Sequence, residues 1–135
     1  MRFVDTNVLV YRLSRTPEDQ QKREIADELM IARDLALSTQ VLQEFYVQAT
    51  RTTRIDRLTH QQAVDLITGL TRFPVQATTV ELVYAALATS ERYRISYWDA
   101  AIIEAARTLG CSEVLTEDLT HGQSYDGVVV VNPFR

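Results

Sequence analysis

The stretch Phe3-Val4-Asp5-Thr6-Asn7 decides how the rest of the chain is read. Arg2 to Val4 reads as a short buried strand, and Val8, Leu9, Tyr11 and Leu13 place a short helix behind it. Asp5 therefore falls at the strand's carboxyl end. Three further carboxylates fall at comparable edges. Glu44 lies one turn into a helix that follows Leu35-Ala36-Leu37, Asp99 lies in the first turn of a helix beginning near Ser96, and Asp118 follows Val114-Leu115-Thr116. Parallel strands share a rim at their carboxyl ends, and ligands bind in the crevice outside it. Carboxylates crowded on one poorly hydrated rim repel one another, and hard divalent cations are the simplest counter-charge.

The segments between these acids support a parallel sheet. Pro17 suits the first turn of a second helix, with Glu18 and Asp19 at its N-terminal end. Ile25, Leu29, Ala32 and Ala36 recur at helical spacing and carry that helix to about Arg33. Leu35 to Leu37 forms a short strand, and Ser38 or Thr39 caps a third helix running to about Thr50. Thr59 begins a fourth helix, with Ala63, Leu66, Ile67 and Leu70 on one face. Phe73 to Ala77 is a strand candidate interrupted by Pro74, and Thr79 caps a helix to about Arg92. Ser96 caps the next, with Ala100, Ile103, Ala106 and Leu109 inward and Gly110 at its end. Glu113 to Thr116 and Val128 to Val131 are the last strands, the second reached through an Asp126-Gly127 turn. Continuous apolar strands alternating with helices predict a three-layer α/β/α sandwich around a small, mostly parallel sheet.

Composition sets the outer limits. At 135 residues the chain is expected to fold as one domain, residues 1–135. A chain this long buries about two thirds of its unfolded surface. The single cysteine, Cys111, excludes an intrachain disulfide and any zinc cluster built on cysteines, and His60 and His121 are too few and too far apart for a histidine site. Asp5, Asn7 and Arg12 interrupt the N-terminal apolar run, and no stretch approaches the roughly 18 apolar residues of a membrane span. A cytoplasmic location with no membrane partner is the expectation. The net charge of −4 does not advertise nucleic-acid binding, although an acidic metal site lowers the count without describing the substrate.

Each acid also has an ordinary structural use. Asp5 can make an Asx turn, Ser96-x-x-Asp99 has capping-box spacing, Glu44 can be a solvated helix residue, and Asp118 can tighten a loop. Their joint placement at successive strand-to-helix edges favours a site. The neighbours agree: Thr6 and Asn7 after Asp5, Thr116 before Asp118, and Trp98 as an aromatic wall beside Asp99.

Val4-Asp5-Thr6-Asn7-Val8-Leu9, the helical Glu44, Trp98-Asp99-Ala100 and Leu115-Thr116-Glu117-Asp118 together resemble the PIN-domain nucleases. The tail from Gly122 through the valine strand to Asn132-Pro133-Phe134 is similar to that of the VapC toxins of that family. The resemblance runs from residue 3 to 134. It implies an Mg²⁺- or Mn²⁺-dependent endoribonuclease with one or two ions, silenced by a cognate antitoxin protein and commonly dimeric. Carried over by position, Asp5 and Asp99 are expected as direct metal ligands. Glu44 and Asp118 complete the pocket as ligands or through metal-bound water. Thr116 and Asn7 are weaker candidates for orienting a carboxylate, a water or the scissile phosphate.

Two questions stay open on sequence alone. Arg51, Arg54 and Arg57 follow the third helix, and Arg92 and Arg94 precede the Asp99 helix; these arginines either contact the RNA backbone or form a solvated charged surface. Leu66, Ile67 and Leu70, or Leu82, Val83 and Tyr84, serve either a homodimer or the core. Among other functions, an RNA-processing PIN nuclease without an antitoxin and a non-catalytic metal- or RNA-binding module compete. A receiver-type signalling module needs a lysine after a late strand, whereas the only lysine here is Lys22 in an early helix.

Overall fold

The computed structural model describes residues Met1–Arg135. The strands are β1 (Arg2–Val4), β2 (Leu35–Ser38), β3 (Val75–Gln76), β4 (Glu113–Leu115), β5 (Ser124–Tyr125) and β6 (Val128–Val131). The helices are α1 (Thr6–Tyr11), α2 (Gln20–Leu29), α3 (Thr39–Ala49), α4 (His60–Leu70), α5 (Val80–Tyr93) and α6 (Tyr97–Thr108). One sheet runs in the order β3-β2-β1-β4-β6-β5. Every neighbouring pair is parallel except β5–β6.

The topology positions the site. From β1 the chain moves outward through β2 to β3, then returns across the sheet to place β4 on the other side of β1. The strand order thus switches direction between β1 and β4, and the crevice outside their carboxyl ends is where a ligand has room. Asp5 follows β1 and Asp118 lies three residues beyond the end of β4. The ladder continues past both strands, since Asp5 N–H donates to Leu115 O at 3.0 Å and Thr116 N–H to Val131 O at 3.0 Å. Asp5 and Thr116 therefore occupy neighbouring positions on the same rim.

Helices cover both faces of the sheet in an α/β/α sandwich. α1 packs on α2 and α3, and α3 on α4; α5 and α6 form a separate antiparallel pair, with α6 lying against β2, β3, β4 and β6. α6 is buried continuously from Ala100 to Ala106, and its alanines let the helix lie close to the strands. Phe3, Val4, Leu35, Leu37, Val114, Leu115 and Val130 fill the sheet's contribution to the core. The end of α6 is fixed by a Schellman motif. Cys111 N–H donates to Ala106 O at 2.9 Å and Gly110 N–H to Arg107 O at 3.0 Å, with Gly110 at φ +78°.

Several element bounds differ from the sequence reading. Pro17–Asp19 forms a 3₁₀ turn, and α2 stops at Leu29 rather than near Arg33. Ala36, counted there in the helical spacing, is in β2, because the chain must straighten to pair Leu35 with Arg2. The Phe73–Ala77 strand contracts to Val75–Gln76: Pro74 has no N–H to give, although its carbonyl accepts from Leu37 N–H at 3.0 Å. β5, absent from the sequence reading, is the outer half of a hairpin turned by Asp126 (φ +54°) and Gly127 (φ +97°), and it adds an antiparallel edge.

Candidate active site

Asp5 is the N-cap of α1 and is only 6% exposed. Its Oδ1 accepts from the Thr6 amide at 2.7 Å, and its Oδ2 accepts from Thr116 Oγ1 at 2.8 Å. No cation answers its charge. Burial pushes the Asp5 carboxyl upward, the bonds from Thr116 and the Thr6 amide pull it back, and the charges of Asp118 and Glu44 push it up again, to about 7.

The other acids hang from the same hydrogen-bond web. Thr6 Oγ1 donates to Glu44 Oε2 at 3.0 Å, joining α1 to α3. Asn7 Nδ2 donates to Thr116 Oγ1 and to Asp118 Oδ2, each at 3.0 Å, and lies 3.4 Å from Asp5 Oδ2. Asp118 N–H donates to Thr116 Oγ1 at 3.1 Å, so the loop after β4 is anchored at the same hydroxyl. Ser96 Oγ caps α6 by accepting from Asp99 N–H at 3.1 Å, which fixes the turn that carries Asp99. The Asp99 carboxyl is raised by burial, lowered by a Ser96 hydrogen bond, and raised again by Asp118 and Glu44. Asp5 and Asp99 thus both feel Glu44 and Asp118, and the structure brings all four acids to one rim.

Gln40, which the sequence reading passed over, joins the two halves. It is 9% exposed, and its Nε2 donates to Glu44 Oε1 at 2.7 Å and to the Trp98 carbonyl at 3.3 Å. One amide therefore orients Glu44 and ties α3 to the first turn of α6. The only sequence signal was its i, i+4 spacing from Glu44.

The arginines divide. Arg51 is exposed and lines a groove of about 490 Å³ with Glu44 and Trp98. Arg54 is half-buried; its Nε lies 2.7 Å from Asp56 Oδ1 yet makes no hydrogen bond. Arg92 stacks over Tyr93 and lies 3.7 Å from Asp126, in the turn preceding β6. Arg94 closes α5 in the left-handed conformation, φ +58°. Arg57 is exposed.

As the side chains stand, no three of the acids enclose a single point at metal-binding distance. The donor set nonetheless fits a hard cation. It consists of carboxylate oxygens without histidine or cysteine, one of them buried with no positive partner and a carboxyl raised to about 7. Mg²⁺ keeps several of its waters and needs few direct carboxylates.

A PIN domain family model matches residues 2–123. The chain belongs to the PIN-domain family. Solved structures share the fold at low identity. A toxin–antitoxin complex from Klebsiella pneumoniae aligns with a TM-score of 0.73 and 19% identity, over 98% of this chain and 98% of that one. VapC20 of Mycobacterium tuberculosis, a sarcin–ricin loop cleaving toxin, aligns at 0.67 and 20% identity, over 87% and 92%. VapBC2 of Rickettsia felis, bound to a DNA fragment from its promoter, aligns at 0.63 and 16% identity, over 96% of each chain. No curated protein sequence matches the chain. No helix is long and apolar enough to cross a membrane.

Proposed function

We propose that residues 1–135 act as one metal-dependent endoribonuclease domain, the toxin of a toxin–antitoxin pair in the cytoplasm, with RNA as substrate and a cognate antitoxin as partner. The observation that carries this reading is Asp5, a buried carboxylate bonded only to neutral donors and crowded by two more acids. Such a group gives up stability unless a cation joins it. PIN-family membership supports nuclease chemistry. The toxin–antitoxin complex among its structural neighbours supports the partner, and VapC20, a sarcin–ricin loop cleaving toxin, supports RNA as the substrate class.

Asp5 and Asp99 would hold the metal directly, with Glu44 and Asp118 acting directly or through water. When bound, one or two Mg²⁺ or Mn²⁺ ions would supply Lewis acidity and lower the pKa of bound water. The remaining work falls to the chain. Thr116 holds Asp5 Oδ2, so the carboxylate keeps one orientation as RNA approaches. Asn7 bridges Asp5 and Asp118 and keeps the β4 loop at the rim. Gln40 and Thr6 hold the two oxygens of Glu44. With every orienting group neutral, the pocket's negative charge stays available to a cation. A homodimer follows from the resemblance to VapC toxins.

The test is to map 5′ ends produced in cells on brief induction, wild type against Asp99→Asn, alongside cleavage in vitro with Mg²⁺, Mn²⁺ or chelator. Wild-type-specific ends that vanish with chelator are expected. Saturating Mg²⁺ is also expected to raise the melting temperature, by mass action worth about 2.7 kcal/mol at a hundred times Kd. No new ends and no thermal shift would end the nuclease reading.

A further inference from the structure

Trp98 is the chain's only tryptophan, and it is 65% exposed beside Asp99. Exposure of so large a ring calls for an explanation, because α6 turns to buried core only two residues on, from Ala100 to Ala106. Its placement is not loose. Tyr97 packs edge-on against the indole with ring centroids 5.1 Å apart, and the Gln40 amide grips the Trp98 carbonyl. The ring is held outward as one wall of the groove between α3 and the first turn of α6.

The other residues along that groove are mostly of polar type, although the surface they present to it is largely carbon. Gln43, Glu44, Val47, Gln48 and Arg51 line it, so Val47 and Trp98 are its only apolar side chains. Val47 is 57% exposed. Glu44 and Gln48 share a face of α3, and Arg51 follows that helix's end cap, Thr50. The groove therefore begins at the acidic rim, through Glu44, and leads to a guanidinium. Most of the surface lining the groove is apolar, so what favours a nucleotide over a protein side chain is the guanidinium at one end and the acidic rim at the other. A nucleobase offers a flat π face for the indole and edge donors and acceptors for glutamine amides, and its phosphate suits Arg51.

We propose that this groove seats one unpaired RNA nucleotide next to the scissile bond, its base stacked on Trp98 and its phosphate bound by Arg51. The assignment rests on the nuclease reading and adds a substrate requirement: the RNA is single-stranded at that nucleotide, since a paired base cannot present its face.

The single tryptophan gives a direct readout. Titrating the Asp118→Asn protein with a short single-stranded RNA is expected to quench Trp98 fluorescence saturably, and the matching duplex is expected not to. On the single strand, Trp98→Ala is expected to raise KM about tenfold, the usual scale for losing one stacked base, with kcat little changed. Trp98→Phe should recover most of that loss. Arg51→Ala should weaken binding and reduce the salt slope by about one. Circular dichroism checks that each variant is folded. Unchanged fluorescence at saturating RNA, or an unchanged KM for Trp98→Ala in a protein that still cuts, would overturn the groove and leave the nuclease reading standing. Quenching by a basic amphipathic peptide but not by RNA would make the groove a protein-docking site and would also overturn it. Quenching by single-stranded RNA without any cleavage would support the groove while removing the nuclease reading.

Discussion

Asp5 and Glu104 are both almost fully buried carboxylates, at 6% and 7% exposure, and the chain treats them in opposite ways. Glu104 on α6 accepts from Arg107 Nε at 3.1 Å and from Thr89 Oγ1 at 3.0 Å, and the same guanidinium reaches the carbonyls of Tyr125 and Asp126. At the amino ends of β1 and β2, Arg2 makes a bidentate pair with Asp34, both bonds 2.9 Å. At the carboxyl ends, Asp5, Glu44, Asp99 and Asp118 take part in none of the chain's ion pairs. Their partners are hydroxyls, amides and backbone N–H groups. Glu104, Asp34 and, beside the rim itself, Glu117 (2.9 Å from Lys22) are each paired with a cation, while the four rim acids have none. That asymmetry separates a structural carboxylate from one reserved for a ligand.

The contrast is broken most sharply by Asp5→Asn. RNA cleavage is expected to fall by well over a hundredfold, since loss of a mere supporting group already costs about 10- to 100-fold. A variant that cuts RNA at the wild-type rate would place Asp5 with Glu104 as a structural acid.

Acidity gives the next effect. The Asp5 carboxyl stands at about 7 in the fold against 3.8 for an ordinary aspartate. Between those values the folded chain holds a proton that the unfolded chain has released. The stability this contributes is complete at low pH and is lost as pH rises through about 7. Metal-free wild type is therefore expected to lose up to about 4 kcal/mol relative to Asp5→Asn between roughly pH 4 and 8, at about 1.4 kcal/mol per pKa unit. Urea melts across that range would show it, and parallel curves for the two proteins would contradict it.

On the paired side of that contrast, Arg107→Met should destabilise the chain by about 3 kcal/mol, because it strands Glu104 without a cation. Cleavage by the protein that remains folded should be unchanged. Smallest is Gln40→Ala, which frees one Glu44 oxygen and the Trp98 carbonyl. A stability loss of about 1 kcal/mol is expected from the missing hydrogen bonds. Activity should drop roughly tenfold, the low end of what an orienting partner contributes. If Gln40→Ala lost stability alone, the bridge would belong to the fold and not to the site.

What the sequence disclosed follows the range of the interactions involved. β1, β6 and the caps Ser38, Thr79 and Ser96 were legible because apolar runs and capping residues act within a few positions. The gathering of the four acids was legible through topology, once the strands were read as parallel. The end of α2 was misplaced because Ala32 and Ala36 continue a helical spacing that pairing with β1 overrides. β5 was missed because Ser124-Tyr125 has no pattern of its own and exists only as the partner of Val128-Val129. Gln40 was invisible for the same reason: its importance comes from a carbonyl 58 residues away.

Both outer strands of the sheet, β3 and β5, are two residues long, and Pro74 blunts the approach to the first. The sheet consequently offers almost no ledge on which a foreign backbone could dock by strand donation. A partner that clasps this protein must grip helices and side chains, and free copies accumulating in a cell have little edge from which to polymerise.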